Sequence, residues 1–385
     1  MIPFTKPGAS DPYLLMGTRA AKAALEDAGV DYALMEQAYV SYVYGDSTSG
    51  QAAIYGVGLS GIPVFNLNNN CSSGSSALYL ARQAVASGAA ECVIALGFEQ
   101  MTPGALKGAY DDRPSPLARF ADTMTGLQGF DAAAPRAAQF FGGAARDYMK
   151  QYGIKAEVFA RISVKARQHA ARNPLAVFRK TVTLDEVLDS PRVFDPLTRL
   201  QCCPPTCGAA AAILCSPEFA RRHGLDRGVI IAAQAMTTDT TSTFDSGDMM
   251  KLVGYDMAAA AANKVYAQAG IGPEDLDVVE LHDCFTSNEL LSYEALGLTP
   301  PGTAEKFILD GDNTYGGKVV TNPSGGLLSK GHPLGATGLA QCYELTQQLR
   351  GRAEQRQVEG ARLALQHNLG LGGACVVTLY QAVAA

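Results

Sequence analysis

Asn68-Asn69-Asn70-Cys71-Ser72-Ser73-Gly74-Ser75-Ser76 stands between a half-apolar run, Ile62 to Leu67, and Ala77 to Val85, where apolar side chains recur at 77, 80, 81, 84 and 85. The first run reads as a strand, and the second has the spacing of a helix. Cys71 therefore falls on a strand-to-helix turn, at or just before the helix N-terminus. Unpaired backbone N–H groups and the positive end of the helix dipole favour a thiolate there. Such a setting can lower a cysteine pKa from ~8.5 to roughly 3.5–7.5. The competing reading is a small buried hydrophobe, the ordinary state of a free cysteine.

Working outward, residues 12–28 carry a stripe of Ala20, Ala21, Ala24, Leu25 and Ala28 and stop at Gly29, which predicts a first helix. Gln37 to Gly45 is rich in β-formers, a short helix is expected over 50–59, and Glu91 to Gly97 reads as a buried strand. Alternating β and α of this kind marks a layered α/β domain. From Met101 to about Leu200 the texture changes to interleaved prolines, glycines and charges, with no strand until Ala209 to Leu214. This predicts a mostly helical insertion in the first half. Within it, 155–180 carries Lys155, Arg161, Lys165, Arg167, Arg172, Arg179 and Lys180 against one acid, Glu157. That balance suits either a phosphorylated ligand or a solvated helix face.

The second half repeats the first. Strands are expected at Val229–Ala235, Leu276–Leu281, Val319–Asn322, Arg362–His367 and Ala374–Tyr380, with helices over about 249–269, through Glu289 to Gly297, and up to Arg350. Strand, turn, Cys71, small-residue helix and strand correspond to strand, turn, His332, small-residue helix and strand. A repeat of this size predicts two similar units related by an approximate twofold axis, which would bring Cys71 and His332 together. Cysteine and histidine can form a nucleophile–base pair, and a helix start would keep His332 neutral. His282 and Cys284 leave a strand end on the same side if the chain stays extended, where one can bind an oxyanion and the other move a proton. Gly370-Leu371-Gly372-Gly373 offers unobstructed N–H groups for a second oxyanion hole.

Composition narrows the functions. The 385 residues, 47% hydrophobic and 18% charged, allow two globular domains. A net charge of −6 argues against nucleic-acid binding. Nine cysteines without a secretory leader suit a reducing compartment. No apolar run nears the ~18 residues of a membrane span, and no peroxisomal tripeptide closes the chain, so a cytoplasmic protein is expected. Cys202-Cys203-Pro204-Pro205-Thr206-Cys207 lacks a second ligand pair at zinc spacing, and no metal is expected. No phosphate-binding loop or dinucleotide fingerprint appears.

Asn68-Asn69-Asn70-Cys71, Gln201-Cys202-Cys203-Pro204, His282-Asp283-Cys284-Phe285, Gly316-Gly317-Lys318, Gly331-His332-Pro333-Leu334-Gly335-Ala336-Thr337-Gly338 and His367-Asn368-Leu369-Gly370 resemble the sterol carrier protein X type of thiolase. The resemblance runs from about Pro3 to Tyr380 and is weakest over 105–135. It implies two similar αβαβα halves, 1–218 with a loop domain at about 102–200, and 219–385. It implies a homodimer and cleavage of 3-oxoacyl-CoA by coenzyme A as co-substrate, with no tightly bound cofactor. A small lipid-carrier or OB-fold partner protein is also within its scope.

Carried over by position, Cys71 takes the acyl group, His332 activates it, His282 holds the thioester oxygen and Cys284 is the second acid/base. The N–H groups of Cys71 and Gly370 form the acyl oxyanion hole. Asn368 stands where other thiolases carry the second cysteine. The candidates for the coenzyme's phosphates are Lys155, Arg161, Lys165 and Arg167.

Two departures accompany the resemblance. Met1 follows a glycine-bearing strand of relatives, expected to be central in the first sheet, which suggests a start assigned too late. Cys207 replaces an aspartate, with a local structural effect expected. The rival readings are a steroid side-chain aldolase and a noncatalytic lipid- or acyl-CoA-binding protein. A decarboxylating ketoacyl synthase fits less well, because His-Asp-Cys-Phe does not belong to it.

Overall fold

The computed structural model describes residues 1–104, 106, 108, 110–225 and 228–383; the last two residues of the expected C-terminal half lie outside them. The first half runs α1 (Tyr13–Ala28), β1 (Gln37–Ser41), α2 (Ser49–Tyr55), β2 (Val64–Leu67), α3 (Ser73–Ala86) and β3 (Cys92–Glu99). The insertion follows as α4 (Ala118–Gln128), α5 (Arg136–Tyr152), α6 (Glu157–Ala170), α7 (Leu184–Leu188) and a small hairpin, β4 (Arg192–Phe194) and β5 (Leu197–Thr198). β6 (Gly208–Cys215) and α8 (Pro217–His223) close the half. The second half runs β7 (Val229–Thr237), α9 (Thr241–Asp245), α10 (Met249–Leu252), α11 (Tyr255–Ala269), β8 (Val278–Glu280), α12 (Thr286–Ala295), α13 (Ala304–Leu309), β9 (Val320–Thr321), α14 (Thr337–Leu349), β10 (Leu363–Gly370) and β11 (Ala374–Ala382).

The sheets have the orders β2-β1-β3-β6 and β9-β8-β10-β11-β7. In each, two outer strands and the third are parallel, and the next (β6 or β11) is antiparallel. The strands thus correspond pairwise, and so do the Cys71 and His332 turns. α3 and α14 lie between the sheets in one shared apolar core with Tyr39, Val93, Val278 and Tyr380. α1 covers the outer face of the first sheet and α11 that of the second. This is a five-layered fold of two similar halves. α3 and α14 approach so closely that a Cβ on Gly74 would stand 2.9 Å from the Gly335 carbonyl oxygen, and one on Gly338 only 2.3 Å from the Ser75 nitrogen. Such contacts exclude any side chain at either glycine.

The second sheet's fifth strand, β7, pairs with β11 at an edge. Its counterpart in the first sheet would lie outside β6, also at an edge, so the expectation of a central gap is corrected. Residues at the start of the chain meet that edge: Ile2 N–H donates to Ala209 O at 3.1 Å, and Thr5 and Cys207 exchange backbone bonds of 3.0 and 2.9 Å.

Some boundaries shift for local reasons. β1 ends at Ser41, four residues early: Tyr42 N–H still reaches Leu67 O at 3.4 Å, but the carboxylate of Glu99 takes the N–H groups that follow, of Val43 and Tyr44, at 3.0 and 2.9 Å. The helix expected over 249–269 breaks at Gly254, whose φ of 100° ends α10; a Cβ there would meet Leu369 at 2.6 Å. The insertion is helical as expected. Although it interrupts the first half in sequence, its apolar faces (Phe140, Tyr148, Phe159) join the core of the second half with Leu290 and Tyr293. α12 is buried along its whole length as a result. Among the described residues, no helix is long and apolar enough to cross a membrane.

Candidate active site

Cys71 occupies the turn between β2 and α3, two residues before the helix begins. Asn70 precedes it in the left-handed region at φ 51°, a conformation asparagine tolerates. Side chains tie the turn down. Asn69 N–H donates to the Ser73 hydroxyl at 2.9 Å, and the Asn70 amide donates to Leu371 O at 2.9 Å. Gly370 ends β10 against this turn, where a Cβ would stand 2.2 Å from Asn69 O.

His332 comes from the matching turn of the second half. Its Nδ1 lies 2.7 Å from the Thr337 hydroxyl, which itself donates to Pro333 O at 3.0 Å. Thr337 Oγ1 is thus the acceptor, Nδ1 carries the proton, and Nε2 of His332 presents a lone pair. That nitrogen is buried and has no hydrogen-bond partner among the described residues. The turn is braced by the first half: Gly335 N–H donates to Glu99 Oε2 at 3.0 Å, and the Ser41 hydroxyl donates to Gly335 O at 2.7 Å. On its other side, a π-helical turn, Gly326–Lys330, is capped by Asp283, whose carboxylate accepts from Leu327 and Leu328 N–H at 2.7 and 3.2 Å.

His282 follows β8, which ends at Glu280. The chain does not stay extended, since Asp283 N–H turns back to Leu281 O at 3.2 Å. Strand alternation therefore does not account for the placing of His282 and Cys284. Nδ1 of His282 faces the side-chain amide of Asn368 at 3.0 Å. Its ring stands edge-on to His332, with centroids 5.2 Å apart.

The structure brings Cys71, His282 and His332 together, with one sulfur or ring nitrogen from each lying within 4.8 Å of the others. Cys284 is not in that group. It is buried beside it, its thiol pushed well up by burial and by the nearby sulfurs of Cys203 and Cys71 and the Asp283 carboxylate.

Electrostatics differ from the expectation for Cys71. The residue keeps some exposed surface, yet the protein packed around it dominates: burial pushes the thiol up to about 12, against the opposing effect of its own backbone N–H. Starting two residues downstream, α3 does not overcome that. Burial, aided by Lys330, lowers His332 to about 3. Its neutrality thus comes from desolvation, because α14 begins five residues later. Burial also holds His282 well below the ordinary value, helped by His332 and His367.

Three such side chains have the makings of a metal triad. A ligating histidine, however, must offer a lone pair and donate from its other nitrogen. Nδ1 of His282 instead receives an amide N–H, so its remaining nitrogen carries a proton. The trio does not suit an ion.

The basic candidates are not one patch. Lys165 is buried, with its ammonium on the Glu289 carboxylate, the Thr321 hydroxyl and, at 3.2 Å, the Tyr293 hydroxyl. It is corrected from a phosphate ligand to a buried ion-pair partner. Lys155 is exposed, Arg161 pairs with Glu157 at 2.7 Å, and Arg167 lies over the Phe178 ring at 4.6 Å. Cys207 is fully buried and bonded to Met101, a local role as expected.

One segment, quoted as part of the family pattern and weighed against zinc, has a structural place that neither reading anticipated. Cys202–Pro205 threads between the two histidine loops: Cys203 N–H donates to Cys284 O at 2.9 Å, Cys202 pairs with Phe285, and Pro205 pairs with His332. Glu99, which braces the His332 turn, gave no signal in the sequence, and Ser75 and Thr337 stood only as members of longer motifs.

A family described as "Thiolase, N-terminal domain" matches residues 3–218, and "Thiolase C-terminal domain-like" matches 238–380. The chain is 55% identical to "Sterol carrier protein 2" of Rattus norvegicus, across 99% of this chain and 70% of that one. It is 37% identical to "Acetyl-CoA acetyltransferase" of Methanothermobacter thermautotrophicus, across 95% and 93%. Among solved structures it resembles "Ltp2-ChsH2(DUF35) aldolase" with a TM-score of 0.83 and 25% identity, across 99% and 95%.

Proposed function

The chain belongs to the thiolase family, and from that premise we propose that it cleaves 3-oxoacyl-CoA by coenzyme A through an acyl-Cys71 intermediate, or runs the reverse condensation. The observation that carries the reading is the approach of Cys71, His282 and His332 within 4.8 Å at the facing ends of the two halves. The halves are taken as 1–218, with about 102–200 inserted, and 219–385.

Cys71 gives its proton to Nε2 of His332 as the sulfur attacks the 3-oxo carbon. The resulting alkoxide takes hydrogen bonds from the N–H groups of Cys71 and Gly370. When the bond between C2 and C3 breaks, the electron pair passes into an enolate of acetyl-CoA. Its oxygen is held by His282, and Cys284 protonates C2. A second coenzyme A then gives its thiol proton to the Cys284 thiolate and attacks the acyl carbon. Cys71 leaves and recovers its proton from His332. The names of relatives at 36–37% identity, a benzoylsuccinyl-CoA thiolase subunit and an acetyl-CoA acetyltransferase, support coenzyme A thioesters as the substrates. The active unit is proposed to be a homodimer.

The test is CoA-dependent release of acetyl-CoA from 3-oxoacyl-CoAs of several lengths. Cys71→Ala should lower kcat by at least about a thousandfold. Cys284→Ala should slow turnover yet still allow Cys71 to be acylated, as read by mass spectrometry. An undiminished rate in Cys71→Ala would end the mechanism. A second reading, aldol cleavage of a steroid side chain with a small partner protein, draws on the likeness to the aldolase structure. It is favoured if no 3-oxoacyl-CoA is cleaved while a 3-hydroxy substrate is.

A further inference from the structure

The two histidines beside Cys71 are held by opposite kinds of group. One meets a hydroxyl acceptor, the other an amide donor. Why Asn368 must be a donor follows from a chain of bonds reaching back across both halves. The Gln366 amide nitrogen lies 2.7 Å from Gly338 O and 2.8 Å from the Ser75 hydroxyl. A backbone carbonyl only accepts, so the group facing it is the NH2. Its oxygen in turn takes the Tyr380 hydroxyl proton. The second amide hydrogen goes to Ser75, with Gln341 Oε1 a longer acceptor at 3.3 Å, and the Ser75 hydroxyl is thereby directed to Asn368 Oδ1 at 2.8 Å. That leaves the Asn368 NH2 facing Cys71 O at 3.2 Å, again an obligate acceptor, and Nδ1 of His282 at 3.0 Å. Two carbonyls at the ends of the relay thus forbid the flipped amide. The cradle is tight, since a Cβ on Gly338 would stand 2.2 Å from Ser75 Oγ and 2.7 Å from Asn368 Oδ1.

We propose that Asn368 is a positioning residue that locks His282 in the tautomer protonated on Nε2, so that this ring can only donate while His332 can only accept. The proposal rests on the thiolase reading for its purpose. With Nε2–H aimed at the substrate side, His282 stabilises the enolate oxygen and cannot compete with His332 for the Cys71 proton. A single Cys71 thiol between two neutral imidazoles would otherwise have two possible bases and no fixed donor. The same amide holds the Cys71 carbonyl, which ties the donor's direction to the nucleophile's turn.

The experiment is nitrogen-15 NMR of histidine-labelled protein, in which the two tautomers have distinct shifts, with signals assigned by single histidine replacements. In the unmodified chain His282 should show its proton on Nε2 and His332 on Nδ1. Asn368→Asp keeps the shape and replaces the donor with an acceptor, so at neutral pH the proton of the neutral ring should move to Nδ1. Activity at neutral pH should fall about 10²–10³-fold, the loss expected for one oxyanion donor, with KM changed less than about threefold.

Because imidazolium again carries a proton on Nε2, this variant should regain activity as pH falls, a slope absent from the parent. The other groups facing His282 are His332, His367 and Cys71, while Asp283 is engaged by Leu327 and Leu328 N–H. Should that variant misfold, Ser75→Ala removes one of the two restraints on the amide, leaving only the Cys71 carbonyl, and should give a partly mixed tautomer signal with a smaller loss. A proton on Nδ1 of His282 in the parent, or an unchanged tautomer and pH profile in Asn368→Asp, would overturn the proposal. A locked Nε2–H tautomer in a chain that cleaves no 3-oxoacyl-CoA would support the lock and sink the reaction assigned to it.

Discussion

With its thiol up at about 12 and the His332 imidazole down at about 3, Cys71 rests as an uncharged pair with its base at neutral pH. In the proposed reaction, charge separation is deferred until a substrate oxygen takes up the negative charge in the oxyanion hole. The resting state has a measurable signature. Alkylation of Cys71 by iodoacetamide should be slow at pH 7 and rise about tenfold per pH unit to beyond pH 9, because only the thiolate reacts. A preformed thiolate–imidazolium pair would instead give a plateau across roughly pH 5–8, and such a plateau would refute the uncharged pair. At this scale Cys71, His282 and His332, which the structure brings together, each adjoin a strand or helix boundary legible from local pattern, whereas the alternation that paired His282 with Cys284 does not hold. Protonation was only partly legible. It depends on how much protein packs around a group, and helix-start arguments misjudged Cys71 and gave the neutral state of His332 for the wrong cause.

α6 and α12 show what pattern reading misses at the scale of elements. Basic residues on α6 read as a patch, but Lys165 turns inward to Glu289 and Tyr293 of α12, with side-chain exposures of 7% for the lysine and 0% for Glu289. A sequence shows charge; whether the charge is solvated depends on what packs against the helix, and α12 lies more than a hundred residues downstream. Replacing Lys165 by Met leaves a carboxylate buried without its partner, which typically costs about 3–5 kcal/mol. The urea midpoint should fall accordingly, whereas KM for coenzyme A in the remaining folded enzyme should stay put. Unchanged stability with a raised KM would return Lys165 to the phosphates. Strands and helices themselves were largely legible from period and caps. Their ends moved where a distant group intervened, as Glu99 does at the end of β1 and Leu369 at Gly254. The Cys202–Pro205 strap escaped for the same reason: its meaning lies in the loops it joins.

For the whole molecule, the near-twofold repeat makes the remaining asymmetry informative. β2 and β9 occupy equivalent edges of the two sheets. The edge of β9 is covered by its own chain, with Thr321 N–H donating to Asn313 O at 3.2 Å and Val319 N–H to Asp312 O at 3.0 Å. Among the described residues β2 pairs with β1 alone and leaves Phe65 44% exposed, stacked on Tyr39 with ring centroids 5.0 Å apart. An uncovered, apolar edge strand is a template for pairing with another chain. The self-complementary way to use it is antiparallel pairing of β2 with β2 of a second copy across a twofold axis. Because the Cys71 turn follows β2 directly, such pairing would also stiffen the nucleophile. Phe65→Asp should therefore shift the sedimentation profile at micromolar concentration from dimer to monomer and lower kcat, by destabilising the Asn68–Ser72 turn, more than Leu14→Asp, a control on the remote α1 surface. A monomeric parent, or a Phe65→Asp variant that stays dimeric, would remove this edge from the assembly.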